Sequence, residues 1–460
     1  MDVKNRRVVV MGLGCHAGGV AAVRFLSALG AKITITDTAD EQALRASLEQ
    51  LDRCRHLTLR LGEHCEADFR QADLVVVNPA VPPSSPYLQV AREAGATITT
   101  EIDLFLQSCP APVIGVTGTN GKSTTAAMIA AILRRDGLGR GGRRCHLGGN
   151  NGVSLLADLD NISSSDWVVL ELSSFHLARL REETLGVQVA VVTGCTPNHL
   201  GWHGSFENYV AEKQRLLTMQ TCQSIAVLND LDDVVAAWST RVQGKQEPLV
   251  ASDAVPSLTV PGQHNRVNAR LAMTAARAIG CRAVSVHEAL ANFSGLPDRL
   301  ELVAEFSGQC FINDSQATTP EAVIAALKAL RQPIWLLAGG YDQGLDLERL
   351  SRAIVEHARG ACLFGAVGER MAHAVRRLDG AFMVQRVTTL SEAFVWCLDR
   401  SRSGECLLLS PACASFDQFD DCQERAARFA QLVHSLESGQ EQTKRYSDRR
   451  KRLVTGSSPR

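Results

Sequence analysis

Short apolar runs recur along the chain, each followed by a stretch in which apolar positions return at helical spacing. Arg7–Met11 reads as a strand, residues 18–29 as a helix and 32–36 as the next strand, with Leu74–Val77 and Thr97–Thr99 as two more. Alternation at this spacing predicts βαβ units around a parallel sheet. The segment Cys109-Pro-Ala-Pro112 interrupts the pattern and reads as a linker. A second α/β unit opens at Val113-Ile-Gly-Val116, with further strands at 167–172, 187–193 and 224–228. Weak periodicity over 243–262 leads into a helix at 265–279, and the pattern breaks again at Ser294-Gly-Leu-Pro297. Beyond it, strands at 310–312, 334–338, 362–364 and 406–409 alternate with helices as a third unit. The predicted fold class is α/β with three domains, residues 1–110, 111–297 and 298–440. A polar tail, 441–460, carries Lys444, Arg445, Arg449, Arg450, Lys451 and Arg452 and is expected to be disordered.

Composition narrows the function classes. Hydrophobic residues make up 45% and charged residues 21%, ordinary for a globular chain. Lys plus Arg number 48 against 49 Asp plus Glu, so no global basic field exists to hold nucleic acid. No run approaches the length of a membrane span, and the first residues lack the apolar core of a signal peptide. The 14 cysteines are scattered, without Cys-x-x-Cys or zinc spacing, so they read as reduced thiols in a cytoplasmic protein, expected to be a monomer.

Gly118-Thr119-Asn120-Gly121-Lys122-Ser123-Thr124 follows a buried strand and opens a helix. In that context glycines let backbone N–H groups close on phosphate oxygens, Lys122 neutralises β/γ-phosphate charge and Ser123 reaches Mg²⁺. The strict P-loop pattern has glycine where this chain has Val116, so the loop is a variant. Gly12-Leu-Gly14-Cys-His-Ala17-Gly18 also follows a strand, and Asp37 ends the next one, as a ribose-binding acid does. Alone this spacing suits an NAD(P)-dependent oxidoreductase, which would leave the Lys122 loop unexplained. Glu171, after the 167–170 run, stands at the end of a strand beside the phosphate loop, a place for a Mg²⁺ ligand. Ser205 predicts an N-cap for a helix over 206–219. Taken singly, Lys213 on that helix reads as a solvated surface residue and His199 as structural.

Taken together, Gly118-Thr-Asn-Gly-Lys-Ser-Thr, Glu171-Leu-Ser-Ser-Phe, His199-Leu and His203-Gly-Ser-x-Glu-x-Tyr-x-x-x-Lys213 resemble the Mur ligases of peptidoglycan synthesis. Pro261-Gly-Gln-His-Asn265-Arg-Val-Asn268, Asn313-Asp314-Ser-x-Ala-Thr318 and Leu409-Ser-Pro-Ala-Cys413-Ala-Ser415-Phe-Asp-Gln-Phe419 carry the resemblance nearly to the end of the chain. It implies a Rossmann-like UDP-substrate domain, a P-loop-type ATPase domain and a Rossmann-like amino-acid domain. The implied reaction is ATP-driven amide formation through an acyl phosphate, joining D-glutamate to UDP-N-acetylmuramoyl-L-alanine with Mg²⁺. By the same resemblance, Lys122, Lys213 and His199 are catalytic, and residues 118–124, Asn268, Arg299 and Asp314 bind ATP. Ser123, Glu171, His199 and a carbamylated Lys213 serve the metal. Gly14, Asp37, Thr38 and Asn150 hold the UDP-substrate, and Thr318, Ser415 and Phe416 line the amino-acid pocket.

The chain departs from the family pattern in places. Asn198 and Gly201 flank His199-Leu where acids are usual, and Gln316 and Gln343 replace lysines expected to face the substrate. Asp298 stands for a usual histidine, and Cys422 for a frequent aromatic. Loss of two cations opposite a dicarboxylate leaves open a sister ligase that adds another amino acid, because charge-assisted hydrogen bonds are about twice as strong as neutral ones. A nucleotide-binding module without activity is the third alternative.

Overall fold

A computed structural model describes residues 2–14, 17–138, 142–181, 184, 186–342, 344 and 346–436. Its first sheet is built from β1 (Arg7–Met11), β2 (Lys32–Asp37), β3 (Leu57–Leu61), β4 (Leu74–Val77) and β5 (Thr97–Thr99). All pairs are parallel, in the order β3-β2-β1-β4-β5. The β-branched run Val8-Val9-Val10 is buried on both faces. Val8 and Val10 join Ile33, Ile35 and the Val20, Val23 and Leu26 stripe of helix Ala17–Ala28 in one core. Val9 and Met11 pack with Phe69, Leu88 and Ala91 in another.

The second sheet contains β6 (Val113–Thr117), β7 (Cys145–Gly149), β8 (Trp167–Glu171), β9 (Val189–Val192), β10 (Ile225–Leu228) and β11 (Lys245–Gln246). Its order is β11-β10-β9-β6-β8-β7, again wholly parallel. Every residue of β6 is buried. The chain reverses its direction of winding at β1 and at β6, and crevices at the C-terminal ends of such strands are where ligands bind in open α/β sheets.

Met1–Ser257 and Arg266–Phe293 form one compact unit, which holds both of these sheets. Asp103 ties helix Glu101–Ser108 to the segment after β8. Fully buried, it accepts hydrogen bonds from Thr99 Oγ1 at 2.6 Å, from Arg181 Nε at 2.8 Å and from Thr184 Oγ1.

Leu258–Asn265 and the chain from Ser294 onward form the second compact unit. Its sheet contains β12 (Glu301–Phe306), β13 (Gln309–Asn313), β14 (Ile334–Gly339), β15 (Ala358–Phe364), β16 (Val384–Arg386) and β17 (Cys406–Ala412). The order is β12-β13-β17-β14-β15-β16, with only the β12–β13 pair antiparallel. Ile312, Leu336, Leu363 and Leu408 pack on one face, and Phe311, Trp335, Leu337, Leu407 and Leu409 on the other with Phe394 and Phe429. Because both faces are covered, the central strands read as continuous apolar runs. The α/β class with three parallel or mostly parallel sheets agrees with the sequence expectation. Among the described residues every cysteine is free, and no helix is long and apolar enough to cross a membrane.

Candidate active site

β6 ends at Thr117 and helix Lys122–Leu138 begins five residues later, so residues 118–121 form a tight loop at the winding reversal. The loop needs glycine at two points. Gly118 has φ +148°, and a Cβ there would lie 2.0 Å from Thr193 Oγ1; Gly121 has φ +84°, and its Cβ would lie 2.5 Å from Asn268 Oδ1. Thr119 N–H donates to Gly194 O at 2.7 Å, and its hydroxyl shares a 3.0 Å hydrogen bond with Tyr209 OH. Lys122 Nζ folds back on Thr119 O at 2.8 Å. Asn268 accepts from Thr125 Oγ1 at 3.3 Å, which puts the helix Gln263–Ala278 beside the loop. Backbone N–H groups at a helix start, with a lysine over them, make a seat for phosphate oxygens.

Lys213 completes the loop from behind. It is 1% exposed, its Nζ donates to Gly118 O at 2.8 Å, and it lies 4.7 Å from the Tyr209 ring centre. Burial, reinforced by repulsion from Lys122, holds its ammonium well below the usual lysine range. Helix Phe206–Thr218 sets its position, and Ser205 caps that helix by accepting from Asn208 N–H. Glu171, 2% exposed at the end of β8, accepts from Asn150 Nδ2 at 3.0 Å through Oε1, while Oε2 is buried with no hydrogen-bond partner.

His199 stands in the left-handed region at φ +54°, an uncommon conformation outside glycine that the surrounding structure must hold. Its ring lies 4.8 Å from Phe175. Burial, then the charges of Lys122 and Lys213, push its pKa down to about 4. Thus residues 118–124, Lys213, Glu171, Asn150, His199 and Asn268 gather at the C-terminal ends of the neighbouring strands β6 and β8.

The other predicted residues stand on other elements. Asp37 uses Oδ2 to accept from Gly14 N–H and Oδ1 to accept from Ala39 N–H, both at 3.0 Å. It therefore fixes the glycine loop after β1 and the turn after β2, and Thr38 between them is exposed. Arg299, Asp314, Thr318, Ser415 and Phe416 belong to the second compact unit. There Asp314 accepts from Leu300 N–H at 3.2 Å and Ser410 Oγ at 2.8 Å, and burial raises its pKa to about 7. Asp298 and Leu300, both at positive φ, bracket Arg299. Ser415 is buried, whereas Phe416 is 68% exposed. Gln343 and the basic tail 441–460 lie outside the described residues.

Several participants escape sequence reasoning. His203 is buried and bonded to Ser174 Oγ at 3.0 Å, and Ser173 and His176 form a capping box on the turn after Glu171. Burial holds His203 and His176 at pKa values of about 4. Arg179 donates to Val81 O and sits 5.8 Å from the Trp202 ring, which itself packs on Phe175. The crowding of Phe175, His203 and Tyr209 within the quoted motifs, with Trp202 between two of them, was the available signal.

Comparison with known proteins identifies the family. Three family profiles match in order: the N-terminal domain of MurD-like Mur ligases over residues 6–100, the Mur ligase middle domain over 116–254, and the Mur ligase glutamate ligase domain over 298–413. A UDP-N-acetylmuramoylalanine–D-glutamate ligase of Roseiflexus sp. (strain RS-1) is 36% identical, covering 95% of this chain and 100% of the relative. One from Geobacter metallireducens is 35% identical, covering 96% and 100%. Among solved structures, UDP-N-acetylmuramate-alanine ligase MurC from Thermotoga maritima superposes with a TM-score of 0.60 at 18% identity, covering 94% of this chain and 99% of its own. E. coli FolC, in complex with DHPP and ADP, gives 0.54 at 18% identity over 74% of this chain and 92% of its own. At such identities these structures speak to fold alone.

Proposed function

The chain belongs to the Mur ligase family, and from that premise we propose that it joins D-glutamate to UDP-N-acetylmuramoyl-L-alanine by ATP-dependent amide formation in peptidoglycan precursor synthesis. The observation that carries the reading is the phosphate loop 118–121, with Lys122 at the helix start and Lys213 buried behind it. The sheet of residues 1–110 is assigned the UDP-sugar through Gly14, Asp37 and Thr38, with Asn150 reaching it from the second sheet. Residues 111–297 are assigned ATP, with Asn268 toward adenine. Residues 298–440 are assigned the amino acid through Thr318, Ser415 and Phe416, and the family resemblance assigns Arg299 and Asp314 to ATP.

Chemically, a carboxylate is a poor acyl donor. One of its oxygens attacks the γ-phosphorus of ATP, the bond from that phosphorus to the β–γ bridging oxygen breaks, and ADP leaves. The amine of D-glutamate then attacks the acyl carbon, loses a proton and expels phosphate. Lys122 and the loop N–H groups counter charge that gathers on the transferring phosphoryl group, so the chain works mainly by positioning and electrostatics.

The donors present fit Mg²⁺. Glu171 offers a buried carboxylate oxygen without a partner, and Ser123 and His199 are the other donors assigned to the metal. Among the described residues no three of His, Cys, Asp and Glu converge as a cage. Such a sparse set suits an ion that keeps water and phosphate oxygens as its other ligands. When bound, Mg²⁺ would supply Lewis-acid stabilisation of phosphate charge. Lys213 supports carbamylation, since the neutral amine favoured by its burial is the form that adds CO₂, and the product is an anion.

The test is phosphate release measured against a panel of D- and L-amino acids with ATP and the UDP-sugar. Dependence on D-glutamate and loss in Lys122→Ala are expected. Preference for a neutral or basic amino acid would instead indicate a sister ligase.

A further inference from the structure

Arg425 is fully buried in the second compact unit, and among the described residues it forms no ion pair within 4 Å. Burying a guanidinium without a carboxylate partner is unfavourable, so the fold needs a compensating use for it. Three of its N–H donors are spent on two loops. Nε donates to Ser315 Oγ at 3.0 Å and Nη2 to Ser315 O at 2.9 Å. Nη1 donates to Cys413 O at 3.0 Å. Ser315 itself is buried and donates to Cys422 O at 2.8 Å, which links the start of the helix covering 422–436 to the same knot.

These loops leave the C-terminal ends of β13 and β17, neighbours in the sheet, and Ala412 N–H donates to Ala317 O at 2.9 Å across them. A third strand end approaches the same group: a Cβ on Gly340, just after β14, would sit 3.2 Å from Arg425 Nη1. Residues 313–318 and 412–416 contain neither Lys nor Arg, and Gln316 is neutral. Burial brings the guanidinium pKa down only to about 10, so it stays charged near neutrality, with Asp417 an acid near enough to favour that charge.

We propose that Arg425 is a positioning residue of the amino-acid site: its guanidinium clamps the Thr318 and Ser415 loops together, and its buried charge biases that site toward a dicarboxylate amino acid over a neutral one. The inference rests on the assignment of the acceptor amino acid to this sheet. It goes beyond that assignment by naming a residue outside the loops as the source of acidic preference. Touching the loops from behind, Arg425 acts through Ser315 and Cys413.

The test is steady-state kinetics of the full chain with D-glutamate and D-glutamine, for wild type, Arg425→Gln, Arg425→Lys and Ser315→Ala. Arg425→Gln is expected to raise the KM for D-glutamate about 100-fold and to reduce the D-glutamate over D-glutamine preference by a similar factor. The KM values for ATP and the UDP-sugar should move by no more than about twofold. Arg425→Lys, which keeps the charge but not the fork, should restore the preference while leaving KM raised. An unchanged preference in Arg425→Gln, or all three KM values rising together with a fallen melting temperature, would overturn the proposal. Should Arg425→Gln fail to fold, Ser315→Ala decides: a D-glutamate KM raised about 10-fold at constant ATP KM supports it, and no change refutes it. A wild type that prefers another acidic amino acid would refute the D-glutamate assignment while leaving Arg425's role intact.

Discussion

Lys122 and Lys213 end on adjacent carbonyls of the phosphate loop, Thr119 O and Gly118 O, yet their environments differ. Lys122 is half-buried at a helix start, so Lys122→Ala is expected to lower ADP formation about 1000-fold with little change in melting temperature. Lys213→Ala should abolish most turnover and regain part of it with small added carboxylates, read in the same ADP assay; equal activity of variant and wild type would refute a catalytic Lys213. Glu101 offers a pH test. Half-buried and accepting from Ser154 Oγ, its carboxyl is raised by burial to about 7. A raised acid contributes stability that is present below its unfolded pKa and lost as pH rises through the folded one. Glu101→Gln should therefore gain on wild type between pH 5 and pH 8, by at most about 3 kcal/mol, as the difference in melting temperature against pH would show. None of these roles was visible from single residues. A lysine on an amphipathic helix reads as solvated, and only the surrounding motif pointed to Lys213, because burial is a property of the fold.

At the level of elements, strands buried on both faces were legible, whereas of the edge strands only β5 was read. β1, β6 and β14 are continuous apolar runs because helices cover both sides. β3 and β16 are mostly exposed, and β12 is an antiparallel edge, so their sequences carry polar residues and no clean period. The helix over 206–219 was legible because Ser205 has a capping geometry that sequence specifies locally. Ser205→Ala is expected to cost about 1 kcal/mol and to lower kcat by loosening Lys213, measured by thermal melting alongside turnover. Gly121→Ala is expected to do more: its methyl would meet Asn268 Oδ1 at 2.5 Å with φ at +84°, so ATP affinity by calorimetry should fall beyond detection while the first sheet stays folded.

For the whole molecule, three sheets each carry a proposed site on loops at the C-terminal ends of central strands: the Gly14 loop after β1, the phosphate loop after β6, and the loops after β13 and β17. That economy explains why the motifs were readable in order, since each one is a strand end followed by a turn whose residues are locally constrained. What could not be read is which side chains from distant segments meet there, such as Asn150 on Glu171, Tyr209 on Thr119 and Arg425 on Ser315. Those meetings depend on packing between elements more than 20 residues apart. In the proposed reaction the Lys122 loop holds a triphosphate whose terminal group passes to a carboxylate of the sugar nucleotide. Isotope transfer tests it most directly. With the substrate carboxylate labelled by ¹⁸O, one labelled oxygen should appear in the released inorganic phosphate of the wild type, and Lys122→Ala should release almost none. Phosphate free of label, formed together with the amide product, would contradict it.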